Sequence, residues 1–280
     1  MTYAFDKLGT DFQFTEGPLW HPTGKFLIFS DIPGDHMRRW SAKSGIETFR
    51  KPSQKANGNT YDRQGRLITC HHETSQVTRT EPDGRLAPLA THFKGKTLNS
   101  PNDIVCRRDG AIYFTDPPYG RSKAFGAERP QELTFQGVYR VGSDPVSPEL
   151  LVDDFDRPNG LCFSLDESRL FINDTTRQQI RVFEVAANGS LRNGRLWAET
   201  KGTKPGGPDG MKIDSAGNVY CTGPGGIHVF SPDGALREVI EVPEYTANFA
   251  FGDDDYRSLF ITASTSLYRI RVATPGLPVF

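Results

Sequence analysis

The sequence predicts an all-β fold, a six-bladed β-propeller, on three observations. Short β-rich runs recur six times at near-regular spacing. Each is introduced by a turn of the same chemistry and followed by a second strand-like run. No segment carries the amphipathic pattern of about 10–15 residues that a helix between parallel strands needs, and Gly 28 with Pro 20 suits many tight turns.

The six runs are residues 26–30, 67–70, 112–115, 170–173, 219–222 and 259–262. The turns before them read HPTGK, DRQGR, RRDGA, SLDESR, DSAGN and GDDDYR, where Gly or an Asp-rich pair takes the positive φ of a hairpin. The following strands are 37–40, 77–80, 137–140, 180–183, 227–230 and 267–270. The last residues of the first set, Ser30, Cys70, Thr115, Asn173, Thr222 and Thr262, are 40, 45, 58, 49 and 40 positions apart. That is close to the length of a propeller blade, roughly 40–50 residues. One domain over residues 1–280 is expected. The long third interval holds an insertion at about 117–136, PPYGRSKAFGAERPQELTFQ, lying over one face. Residues 3–5 or 12–14 are expected to close the ring by pairing into the last blade.

Charge narrows the function. With 33 basic against 34 acidic residues the net charge is −1, which gives no footprint for nucleic acid or an anionic membrane. The first residues lack a signal-peptide pattern and no stretch approaches a membrane span, so a cytoplasmic protein is expected. Cys70, Cys106, Cys162 and Cys221 stand far apart with no CxxC pair, which reads as reduced, buried thiols.

Counting back 13 or 14 positions from each run lands on the innermost strand, at Glu16, Asn57, Asn102, Asn159, Asp209 and Asn248. All are oxygen donors, and the repeat brings them to the axis at one depth. Carboxylates gathered there are costly to desolvate without a counter-charge, which a bound cation supplies. Glu16, Asn102, Asn159 and Asp209, in TEGP, SPND, RPNG and GPDGM, are the expected metal ligands; at Asn57 and Asn248 the flanking Gly/Pro pattern is weaker, and they are not counted as ligands. A hard, all-oxygen set makes Ca²⁺ the first expectation, with Mg²⁺, Mn²⁺ and Zn²⁺ as alternatives.

These four motifs resemble those of the SMP-30/gluconolactonase/LRE-like family, six-bladed propellers with a divalent metal in the channel that also look like diisopropyl-fluorophosphatase. The resemblance extends over nearly the whole chain, and TDPPYG at the insertion looks like the bacterial gluconolactonase version. It implies that Glu16, Asn102, Asn159 and Asp209 hold the metal, that Asp209 also moves protons, and that Asn102 touches a sugar lactone. Where animal members carry an Arg two residues before that Asn, this chain has Ser100.

The expected reaction is metal-dependent opening of a small sugar lactone, by polarisation of the carbonyl and water activated near Asp209. A GxSxG elbow is absent, and the glycine-rich 223–226 lacks a phosphate-loop ending. His72 and Tyr119 are further candidates for substrate contact. Asp31, Asp116 and Asp174 are expected to brace strand ends, and His71, at the same position of the second blade, to be satisfied inside its loop. Phosphotriester or promiscuous ester hydrolysis, a non-catalytic calcium-binding module and, last, a strictosidine-synthase-like condensation remain as alternatives.

Overall fold

The computed structural model describes residues 3–142 and 147–280. Six four-stranded antiparallel sheets follow one another along the chain. Their innermost strands are Thr15–His21, Ala56–Tyr61, Ile104–Cys106, Pro158–Phe163, Met211–Ile213 and Thr246–Gly252. Each touches the next and the sixth touches the first, so the sheets close into the six-bladed propeller read from the sequence. Among the described residues the only helix is the 3₁₀ turn Tyr119–Arg121.

The ring closes differently from expectation. The strand added to the sixth blade is Asp6–Gly9, paired antiparallel to Ser266–Arg271, and it lies between the two segments proposed from sequence. Tyr3 and Phe5 instead pack on the core beside Tyr268, and Phe12 sits under Phe29. The aromatic pattern marked packing, whereas backbone pairing fell to the polar DKLG between.

Hydrophobic side chains cluster between blades as well as within them. Leu19, Ile28 and Met37 of the first blade meet Ala56, Tyr61 and Leu67 of the second, and the same contact recurs around the ring to Trp20 and Trp40 against Phe260. Burial between blades, worth roughly 1.5–3 kcal/mol for each large side chain, holds the ring shut. The four cysteines are free thiols, three buried and Cys106 half-buried.

The hairpin turns keep their inferred places with a shift of residue. In HPTGK the left-handed position is Lys25 (φ 54°), in SLDESR it is Glu167 (φ 56°), in GDDDYR Asp253 and Tyr256 are left-handed (φ 61° and 53°), and Gly65, Gly110 and Gly217 fill it in the other three. Asp31, Asp116 and Asp174 do brace strand entries. Asp31 accepts the backbone N–H groups of Gln13 and Phe14, Asp116 those of Asn99 and Ser100, and Asp174 those of Asp156 and Arg157. His71 fills this position in the second blade, fully buried between the Ser53 carbonyl and the Thr78 hydroxyl.

Candidate active site at the channel mouth

The residue after an axial polar residue is Gly in four of the six blades, as EG, NG, NG and DG. A Cβ on Gly17 would stand 2.0 Å from the Asn57 carbonyl, one on Gly58 2.3 Å from that of Asn102, and one on Gly160 1.9 Å from that of Asp209. Only a residue without a side chain lets each inner strand press on the axial residue of the next blade. That contact sets the six polar side chains side by side.

At one mouth of the channel they floor a cavity of about 290 Å³, where Glu16, Asn57, Asn102, Asn159 and Asp209 meet His72 and Tyr119. Phe14, Ile32, Phe125 and Tyr245 form its apolar wall. Asn248 lies just behind, donating through Nδ2 to Glu16 Oε2 at 3.0 Å. The four expected ligands are thus together, and Asn57, set aside from sequence, is among them.

An amide chain runs across the floor. Asn57 Nδ2 donates to Asn102 Oδ1 at 2.6 Å, Asn102 Nδ2 to Asn159 Oδ1, and Asn159 Nδ2 to the Thr175 hydroxyl at 3.1 Å. Burial lowers the pKa of His72 to about 4, so the ring is neutral and carries one N–H. Its Nδ1 lies 3.1 Å from the Phe125 carbonyl and its Nε2 3.1 Å from Asn57 Nδ2. The tautomer that satisfies both donates from Nδ1 and accepts at Nε2. His72 therefore joins the floor to the insertion.

The insertion is held by buried bonds. Ser100, where the resemblance would place an Arg, donates to the Pro117 carbonyl at 2.6 Å and accepts from the Gly120 N–H at 2.8 Å. Arg121 donates to the carbonyls of Asn99, Leu98 and Pro130, and Arg129 to that of His72 at 3.0 Å. Tyr119 lines the cavity with its hydroxyl buried and unpaired, and Arg157 lies 5.6 Å over its ring.

The carboxylates carry the strongest electrostatics. Burial, then the charge of Asp103, raises Glu16 to about 7; burial, then Glu16 and Asp103, pushes Asp209 well above the carboxylate range. Glu16 Oε1 and Asn57 Oδ1 are buried without a hydrogen-bond partner. Among the described residues no three His, Cys, Asp or Glu side chains form a metal-binding group. The set is two carboxylates with amide oxygens, and its unpaired oxygens and excess negative charge fit a hard divalent cation. Asp103 and the wall residues Phe14, Thr175 and Tyr245 were missed in the sequence; only Asp103, beside Asn102 in SPND, carried a local signal.

Known proteins share this arrangement of blades. The chain is 34% identical to a gluconolactonase of Zymomonas mobilis, over 96% of this chain and 81% of that one. It is 26% identical to the pentonolactonase XacC of Haloferax volcanii, over 97% and 95%. A solved gluconolactonase structure from Xanthomonas campestris, 33% identical, superposes with a TM-score of 0.89 over 98% of this chain and 90% of that one. Matched from residue 14 to residue 265, the chain belongs to the SMP-30/gluconolactonase/LRE-like family.

Proposed function

We propose that this protein, acting as one domain, is a divalent-cation-dependent hydrolase that opens a small sugar lactone, gluconolactone being the first candidate. The observation that carries the reading is the pair of buried Glu16 and half-buried Asp209, with the unpaired Glu16 Oε1, at the floor of a cavity walled by aromatic rings. Relatives named gluconolactonase and pentonolactonase over nearly the full chain support the substrate class.

Glu16, Asn102, Asn159 and Asp209 would hold the cation, Ca²⁺ first on the hardness of the oxygens, with Mg²⁺, Mn²⁺ or Zn²⁺ as substitutes. Bound there, it would polarise the lactone carbonyl and lower the pKa of a water. Asp209 takes a proton from the attacking water and returns it to the ring oxygen as the C–O bond breaks. Asn102 orients the substrate carbonyl. Tyr119 and Phe14 line the cavity with apolar rings on which a sugar can pack, and His72 holds the insertion over it. Free cysteines suit the reducing cytoplasm, and among the described residues no helix is long and apolar enough to cross a membrane.

The test follows acid release from aldonolactones with a pH indicator before chelation, after it, and with each metal restored, alongside Asp209→Ala. Turnover that needs the metal and falls at least about 10³-fold in the variant is expected. Undiminished turnover after full chelation would overturn the reading.

A further inference from the structure

A positive charge of the chain's own stands in the channel beneath this site. The later residues of all six innermost strands line a second cavity at the opposite mouth, and the side chain on it that reaches back toward the floor is Lys212. Its Nζ donates to its neighbour's carbonyl, Met211 O, at 2.9 Å and to Asn248 Oδ1 at 3.4 Å, and lies 5.9 Å from the Phe249 ring centroid. The same Asn248 donates through Nδ2 to Glu16 Oε2, so one amide stands between ammonium and carboxylate. Arg63 and Arg108 also line this mouth, but their guanidinium groups bind the Val279 and Leu165 carbonyls at the surface.

On the other side of the channel is Asp103. It is buried, its Oδ1 accepts the Ile104 N–H at 2.8 Å, and its Oδ2 has no partner. Its charge is felt at both Glu16 and Asp209, and Lys212 acts in turn on Asp103 and Glu16. Three carboxylates and one ammonium therefore share the channel, Glu16 and Asp103 buried, Asp209 and Lys212 half-buried. Ionised, they leave two negative charges, the number a divalent ion cancels. A lysine needed only for packing on Phe249 would do as well without its charge, yet here the ammonium turns inward to an amide already engaged with Glu16.

We propose that Lys212 is the internal counter-charge of the cation site: through Asn248 and Glu16 it limits how tightly the ion is held and biases the site towards divalent over trivalent ions. The inference rests on the cation reading above. A unit charge one amide removed from a ligand of a divalent ion, partly screened, changes affinity by about ten-fold.

The experiment uses the full chain stripped with chelator, titrated with Ca²⁺ by calorimetry and with Tb³⁺ by luminescence, after circular dichroism has shown each variant folded. Lys212→Met, with Lys212→Gln as a second neutral variant, is expected to bind Ca²⁺ about ten-fold more tightly and Tb³⁺ more tightly still. Lys212→Arg is expected to keep wild-type affinities, and Asp103→Asn to weaken both ions. Neutral variants that fold and bind both ions with wild-type affinity, or more weakly, would overturn the proposal while leaving the cation site standing. A wild-type chain that binds neither ion would overturn both.

Discussion

Gly160→Ala probes the contact that builds the site. The added methyl would stand 1.9 Å from the Asp209 carbonyl oxygen and 2.9 Å from both Asn173 Nδ2 and Met211 N. Carbon and oxygen settle at about 3.3 Å, so the fourth and fifth blades must part by more than about 1 Å at the axis. The shift also strains the bond from Asn173 Nδ2 to the Asp209 carbonyl, 2.6 Å long. Overpacking at about 1–3 kcal/mol, with a weakened hydrogen bond at about 1 kcal/mol, sums to about 3 kcal/mol. For a chain of this size that lowers Tm by about 6–12 °C. A displacement of about 1 Å at a catalytic group costs about 10²-fold in rate. The assay pairs a thermal melt with lactone hydrolysis at saturating Ca²⁺. A variant with wild-type Tm would refute the close approach, and a lowered Tm with full kcat/KM would refute the role proposed for Asp209.

Two further expectations concern the surroundings of the site. Arg121→Met removes the donor to three carbonyls, those of Leu98, Asn99 and Pro130, at about 1–3 kcal/mol for each one left buried and unpaired. The insertion should loosen, so that KM rises about ten-fold with kcat changed less, and limited proteolysis within 117–136 speeds up; unchanged proteolysis would exclude the anchoring role. His71 has its pKa lowered from 6.5 to about 4, chiefly by burial, so the fold favours the neutral ring. Its stabilisation is complete above pH 6.5 and lost as pH falls through 4, about 3 kcal/mol in all. His71→Gln should therefore flatten the fall in Tm between pH 6.5 and pH 4, and a curve parallel to wild type would show that this ring is not the source.

How much could be read in advance followed the range of the interactions. Strands and turns were legible because their signals are local: FLIFS and IYFT alternate in strand fashion, and Asp62, Arg107 and Asp214 open turns whose glycines stand three residues on. Even there Lys25 and Glu167 took left-handed positions that sequence would give to Gly24 or to Asp166. The axial residues were legible because the repeat multiplies a weak local signal by six. The cavity wall was not, since Phe14, Ile32, Thr175 and Tyr245 come from separate blades at unrelated offsets and meet only once the ring closes. Closure itself was misjudged because the pairing of Asp6–Gly9 depends on a free sheet edge some 260 residues away, an interaction that leaves no pattern in DKLG.

The two blades that break the polar–Gly rule explain why the site is asymmetric. In the third, Asp103 follows Asn102 where the others place Gly, and in the sixth, Phe249 follows Asn248. Without that Gly, a backbone N–H in each of these strands is satisfied by a side chain: Ile104 N by Asp103 Oδ1, and Phe249 N by Asn248 Oδ1. Asn248 Oδ1, so engaged, faces away from the cavity and towards Lys212, while its Nδ2 reaches Glu16. Asp103 adds a carboxylate below the floor. Four blades thus repeat one close-packed unit, and the two departures bring in the buried acid and tie the channel's lysine to the carboxylate it faces. A symmetric ring of six polar–Gly units would gather oxygens equally well, but it would have no side chain to set the charge they present.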